Sequence, residues 1–150
     1  MQSALDKVKP EGNSSLFDGI YVGLTLAKSR PEPPLIIVFS DGRDTASFLS
    51  DQEAITTAEE SEVTIYAVSP EVVAKKNPLR NIATITGGSL FEVNSSTNLG
   101  EVFLRILDQF RQRYLLTFTP AGASAEGWHS LEVHLKNRPG EISARRGYMK

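Results

Sequence analysis

The run Leu35-Ile36-Ile37-Val38-Phe39 constrains the fold of this chain more than any other stretch. Five consecutive apolar residues, three of them β-branched, leave no polar face to turn toward water. Such a run favours a strand buried on both faces, as in a parallel sheet, over a half-exposed one. It is too short for a lone helix, and Pro31, Pro33 and Pro34 block helix formation on its amino-terminal side. It ends in Ser40-Asp41-Gly42-Arg43-Asp44, which sets a hydroxyl and a carboxylate at the carboxyl end of the strand. In open α/β sheets, ligands gather at that edge.

The flanking pattern fits such a sheet. Residues 3–8 predict the last turns of a helix, ended by Lys9-Pro10-Glu11-Gly12. Leu16, Ile20 and Leu24, with Phe17 and Tyr21, recur at i, i+4 and predict an amphipathic helix over 16–29. Ser15 and Asp18 stand at its start as a variant capping box, with Asp18 serving the first turn. After a loop at 45–50, residues 51–60 predict a helix and Glu62 to Ser69 a second strand, stopped by Pro70. A helix at 78–85 ends at Gly87-Gly88, a left-handed stop, and Ser89 to Val93 predict a third strand. Leu99, Val102, Phe103, Ile106 and Phe110 form the buried face of a last helix, capped by Asn98 and Glu101. Helices alternating with strands imply an α/β chain: a three-layer, Rossmann-like parallel sheet with helices on its faces.

The tail reads differently. Tyr114, Leu116 and Phe118 alternate with their neighbours, as do Leu131, Val133 and Leu135, and 141–148 could follow as a third strand. These are expected to be antiparallel strands, with Trp128 and Tyr148 packing among them. The expected organisation is an α/β unit over 1–112 with residues 113–150 appended to the same domain.

Composition removes several function classes. A chain of 150 residues is long enough for one domain with a real core. The formal charge of −2 argues against a nucleic-acid surface. No window approaches the roughly 20 apolar residues of a membrane span, and Met1 to Lys7 lacks the features of a signal peptide. The absence of cysteine excludes disulfides, thiolate catalysis and cysteine-based zinc sites. Gly87-Gly88 lacks both the Lys-Ser/Thr of a P-loop and the spacing of a dinucleotide loop. His129 and His134, five apart on an expected strand, would face opposite sides. There is no Gly-x-Ser-x-Gly, and the Asp41–Asp44 spacing misses the tighter pair of an aspartate phosphatase.

Four segments, in order, carry a resemblance: Gly12-Asn13-Ser14-Ser15-Leu16-Phe17-Asp18-Gly19, Ser40-Asp41-Gly42-Arg43-Asp44, Thr86-Gly87-Gly88 and Arg145-Arg146-Gly147-Tyr148. In order and spacing the chain resembles the second half of a von Willebrand factor type A domain, most closely a bacterial subfamily. The resemblance implies a divalent ion, usually magnesium, above the carboxyl ends of the central strands. The family holds it with Asp-x-Ser-x-Ser, a threonine and an aspartate. Ser14 stands at the threonine position and Asp41 at the aspartate position, and a partner's carboxylate would complete the shell. Asp-x-Ser-x-Ser occurs nowhere in the chain, so the strand bearing it is expected upstream of Met1.

With two ligands of the set, the expectation is no tightly bound cofactor and at most weak Mg²⁺ binding at Ser14 and Asp41. The resemblance further implies a non-catalytic, adhesion-type module that binds a protein through the loop edge of Ser15, Ser40, Gly42 and Asp44. It suggests an exported, periplasmic or extracellular setting for the full-length protein. Without the family's first strand, Leu35–Phe39 would offer a bare edge, and a homodimer could form through it. The alternatives are a structural or assembly role through that edge without metal, and a phosphate- or nucleotide-processing enzyme.

Overall fold

The computed structural model describes residues 12–29, 34–70, 77–122 and 126–150. The helix expected at 3–8 lies outside the described residues. In order, the elements are α1 (Leu16–Ala27), β1 (Leu35–Phe39), α2 (Asp51–Glu60), β2 (Thr64–Pro70), α3 (Pro78–Ile85), β3 (Leu90–Val93), α4 (Leu99–Arg111), β4 (Trp128–Ser130) and β5 (Gly147–Met149). The first three strands form a parallel sheet in the order β1-β2-β3. The last two form a separate antiparallel pair. The expected α/β architecture is therefore present, with Leu35 opposite Thr64 and Ala67 opposite Leu90.

Burial is distributed differently from the expectation. β2, in the middle, is buried along Thr64 to Ser69, whereas β1 is only half-buried and Phe39 is 53% exposed. Among the described residues, β1 pairs with β2 alone, so one of its edges is open. Strand position therefore outranks composition: β2 carries Thr64, Tyr66 and Ser69 yet has a strand on each side. The two faces are also unequal. Ile36, Val38, Ile65 and Ala67 pack under α1, α2 and α3, while among the described residues Leu35, Ile37, Tyr66, Val68, Phe91 and Val93 meet α4 alone. With one helix covering that face, Leu99 and Phe103 stay 52% and 41% exposed rather than buried as predicted. Phe103 stacks on Phe39 instead, 6.1 Å between ring centres.

The Thr86-Gly87-Gly88 segment joins α3 to the sheet. Gly87 takes φ +80° and ends the helix, as expected. The buried Thr86 hydroxyl accepts from the Ile65 amide, a β2 donor that β3 does not reach, and donates to the Ile82 and Ala83 carbonyls. Gly88 lies against the Ile65 carbonyl, where any Cβ would collide with backbone.

The tail departs most from its prediction. Residues 113–120 and 131–135 are not strands, and Tyr114 and Leu115 are almost fully exposed. Only three residues on each side pair, with Tyr148 stacked on its cross-strand neighbour His129 and edge-on to Phe118. The reason lies in where the second arm is tied. Ser143 Oγ donates to the Gly87 carbonyl, and Arg145 donates to the Ser61 and Glu59 carbonyls at the end of α2. These bonds hold that arm on the α/β unit, and beyond the Leu131–Arg146 bond it parts from residues 132–135. His134 therefore sits outside any strand, beside Glu132 at 3.3 Å.

Replacing Gly88 with Ala should lower unfolding stability by about 1–3 kcal/mol through overpacking. The control Gly19→Ala, on α1 where a Cβ meets nothing, should raise it by about 0.5–1 kcal/mol. Urea midpoints measure both, and an unperturbed Gly88→Ala would refute the close approach.

Candidate functional site

The carboxyl ends of the parallel strands are finished by the loop after β1, and its anchor is the start of α1. A helix leaves its first amide groups without partners. Ser15 is the N-cap residue but its side chain makes no capping bond, so the expected capping box at 15–18 does not form. Ser47 Oγ accepts from the Phe17 and Asp18 amides at 3.0 and 3.1 Å, and Asp44 Oδ2 accepts from Phe17 at 3.1 Å. Asp18 turns outward and accepts from the Phe48 and Leu49 amides at 3.0–3.1 Å. Helix and loop thus cap one another, and Asp18 serves the loop rather than its own first turn. The next helix, α2, carries a complete capping box between Ser50 and Glu53.

Ser14 enters through its backbone. Its amide donates to Thr45 Oγ1 at 2.8 Å, and its carbonyl accepts from the Thr45 and Ala46 amides at 2.9 and 3.1 Å. Asp41, four residues before Thr45, stays 45% exposed. Its Oδ1 accepts from the Arg43 amide at 3.0 Å, and its Oδ2 lies 3.8 Å from the Arg43 guanidinium. No hydrogen bond joins the side chains of Ser14 and Asp41, but both belong to the same braced loop system. The Ser40 hydroxyl accepts from the Gly42 amide at 3.1 Å. Gly42, at φ +80°, packs directly on the Asn77 side chain. Asn77 in turn caps α3 by accepting from the Leu79 amide and donates to Ser69 Oγ at the end of β2.

Asp44 is the most perturbed acid at this edge. Partial desolvation raises its pKa, but the Ser47 hydroxyl and the amides of Ser47, Phe17 and Leu16 outweigh that and hold it at about 2. The amide and hydroxyl of Ser50 likewise lower Glu53. Among the described residues, no group of three or more His, Cys, Asp or Glu could hold a metal ion. Phe48, between Ser47 and Leu49, is fully exposed although its own amide and the next are both bound. The motif reading passed over it; a lone phenylalanine in a polar loop was the available signal.

A parallel α/β sheet with hydroxyl- and carboxylate-bearing loops at its carboxyl edge is the class defined by this fold. The von Willebrand factor type A domain family matches residues 1–105, and the chain belongs to that family. No curated protein matches it. Among solved structures it is similar to an uncharacterized membrane spanning protein from Vibrio fischeri, with 23% identity and a TM-score of 0.46. That match covers 72% of this chain, which spans 64% of the length of the other. The exported, periplasmic or extracellular setting expected above finds no support: the similar structure is described as membrane spanning, a description that belongs to that protein. No described helix of the present chain is long and apolar enough to cross a membrane. The family fits a protein-interaction module.

Because Asp44 stays ionised in the folded chain down to about pH 2, while an unfolded aspartate takes up its proton near about pH 3.9, protonation favours unfolding. Its contribution to stability should be complete above about pH 4 and fade as pH falls toward 2. Urea midpoints across that window should show a flatter slope for Asp44→Asn than for the parent chain.

Proposed function

We propose that the chain is a non-catalytic, adhesion-type interaction domain that binds a protein through the carboxyl edge of its parallel sheet. The observation that carries this reading is the bracing of the loop after β1: its shape is set before any partner arrives, while Asp41 remains exposed. Preorganised loops lose less entropy on binding. Ser40, Gly42 and Asp44 contribute by holding that edge, Ser15 by starting α1 through its backbone, and Asp41 by meeting the partner. Among the described residues, the serine–aspartate contact that resembles a nucleophile with its base, Ser47 Oγ to Asp44 at 2.5 Å, has both groups committed to the amides of α1. That supports a binding role over catalysis.

Ser14 and Asp41 alone do not fit a resident magnesium ion, which demands near-octahedral oxygen ligands. One carboxylate and one hydroxyl support at most weak binding that a partner's carboxylate would strengthen. A second reading, assembly through β1, is favoured by its open edge and by the exposed Phe39. A second copy could pair along Leu35–Phe39.

Cross-linking in the source cells, followed by mass spectrometry, tests both readings. Asp41→Ala should keep the circular dichroism of the parent and lose its cross-linked partners. Partners retained by Asp41→Ala but lost by Ile37→Lys would transfer the function to the strand edge.

A further inference from the structure

The loop at one end of α2 carries an excess of acid, and the segment that forms a cleft at the other end an excess of base. At the amino end stands Phe48, its whole side chain in solvent and its backbone fixed by Asp18. Residues 41–53 around it carry four carboxylates and one guanidinium. At the carboxyl end, the two arms of the tail hairpin separate after the Leu131 amide bonds the Arg146 carbonyl at 2.7 Å. The bonds from Ser143 and Arg145 to the α/β unit keep them apart. A cleft of about 650 Å³ opens there, lined by Trp128, Val133, Ile142, Arg145, Arg146 and one carboxylate, Glu132. Arg146 is exposed, and residues 127–150 carry five Lys or Arg against two Glu.

We propose that the chain docks head to tail with a second copy of itself, Phe48 of one copy entering the Trp128–Arg146 cleft of the next. This rests on the binding role of the loop edge given above and names the occupant. A fixed aromatic side chain buries a large apolar area with little loss of conformational freedom. The acidic surround of Phe48 matches the exposed Arg146 and the net positive charge of a cleft in which two arginines meet one glutamate, so wrong orientations are disfavoured. A chain cannot fill its own cleft, because the ten residues of α2, about 15 Å of helix, separate the two features. The contact uses two different surfaces, so it propagates into a ring or an open fibre instead of stopping at a symmetric pair.

Sedimentation of the full chain at about 100 μM, where weak interfaces become populated, provides the test. The parent chain should associate, more weakly as salt rises. Phe48→Ala and Arg146→Glu, both at exposed positions, should keep the parent's circular dichroism and each weaken association at least about tenfold. Mixed in equal amounts, the two variants should form a heterodimer and nothing larger, since the mixture holds one intact Phe48 and one intact cleft. A monomeric parent chain, undiminished association of either variant, or no heterodimer on mixing would overturn the proposal. None of these results bears on the cross-linked partners lost by Asp41→Ala, so the broader reading stands or falls separately.

Discussion

Much of this structure depends on an exchange of hydrogen bonds between the start of α1 and the loop that follows β1. The helix supplies a carboxylate, Asp18, to two loop amides; the loop supplies Asp44 and Ser47 to two helix amides. Neither half can be satisfied locally. The Ser15 side chain is not used, and a loop of polar residues has no ladder to join. The charge of each acid lies where amide dipoles converge, which keeps Asp44 ionised well below the usual range. The loop is therefore rigid while Asp41 and Phe48 still face outward.

The sheet beneath is organised around β2, and its outer parts are attached to that strand by side chains. Thr86 takes the Ile65 amide, Arg113 donates to Thr64 Oγ1 at 2.6 Å while lying over the Phe110 ring, and Asn77 holds Ser69. Arg145 does the same for the tail, placing a guanidinium on carbonyls that α2 leaves open at its end. Burial lowers the pKa of that guanidinium, countered by the charge of Glu62. Most of these attachments join segments far apart in the chain, which explains how a short sheet holds the four described helices and a hairpin in place.

The legible part of this fold was the local part. Runs such as Leu35–Phe39, the stripe through Leu16, Ile20 and Leu24, and the Gly87 stop depend on neighbours within a turn or a strand, and each was found where predicted. What escaped was set by distance. Nothing near Asp18 announces a bond to Phe48 thirty residues away. The expectation that Leu35–Phe39 is buried on both faces failed because apolar content was read as burial, whereas burial followed from having a strand on each side. In the tail the alternation at Tyr114–Phe118 is real, but alternation guarantees a strand only where something covers it. At the candidate site, the motif pointed to Ser14 and Asp41, which bond to Thr45 and to Arg43 and not to each other, and gave no hint that Asp44 accepts from the Phe17 amide of α1. The Ser50–Glu53 box was readable from spacing alone and was missed.

Gly42 has a consequence for how this edge behaves under load. Its backbone rests on Asn77, and that one amide side chain also starts α3 and grips the end of β2. The turn bearing Asp41, the first coil of α3 and the tip of the central strand thus share a single fulcrum. Pressing the rim toward α3 therefore meets a side chain that two other elements already hold in place.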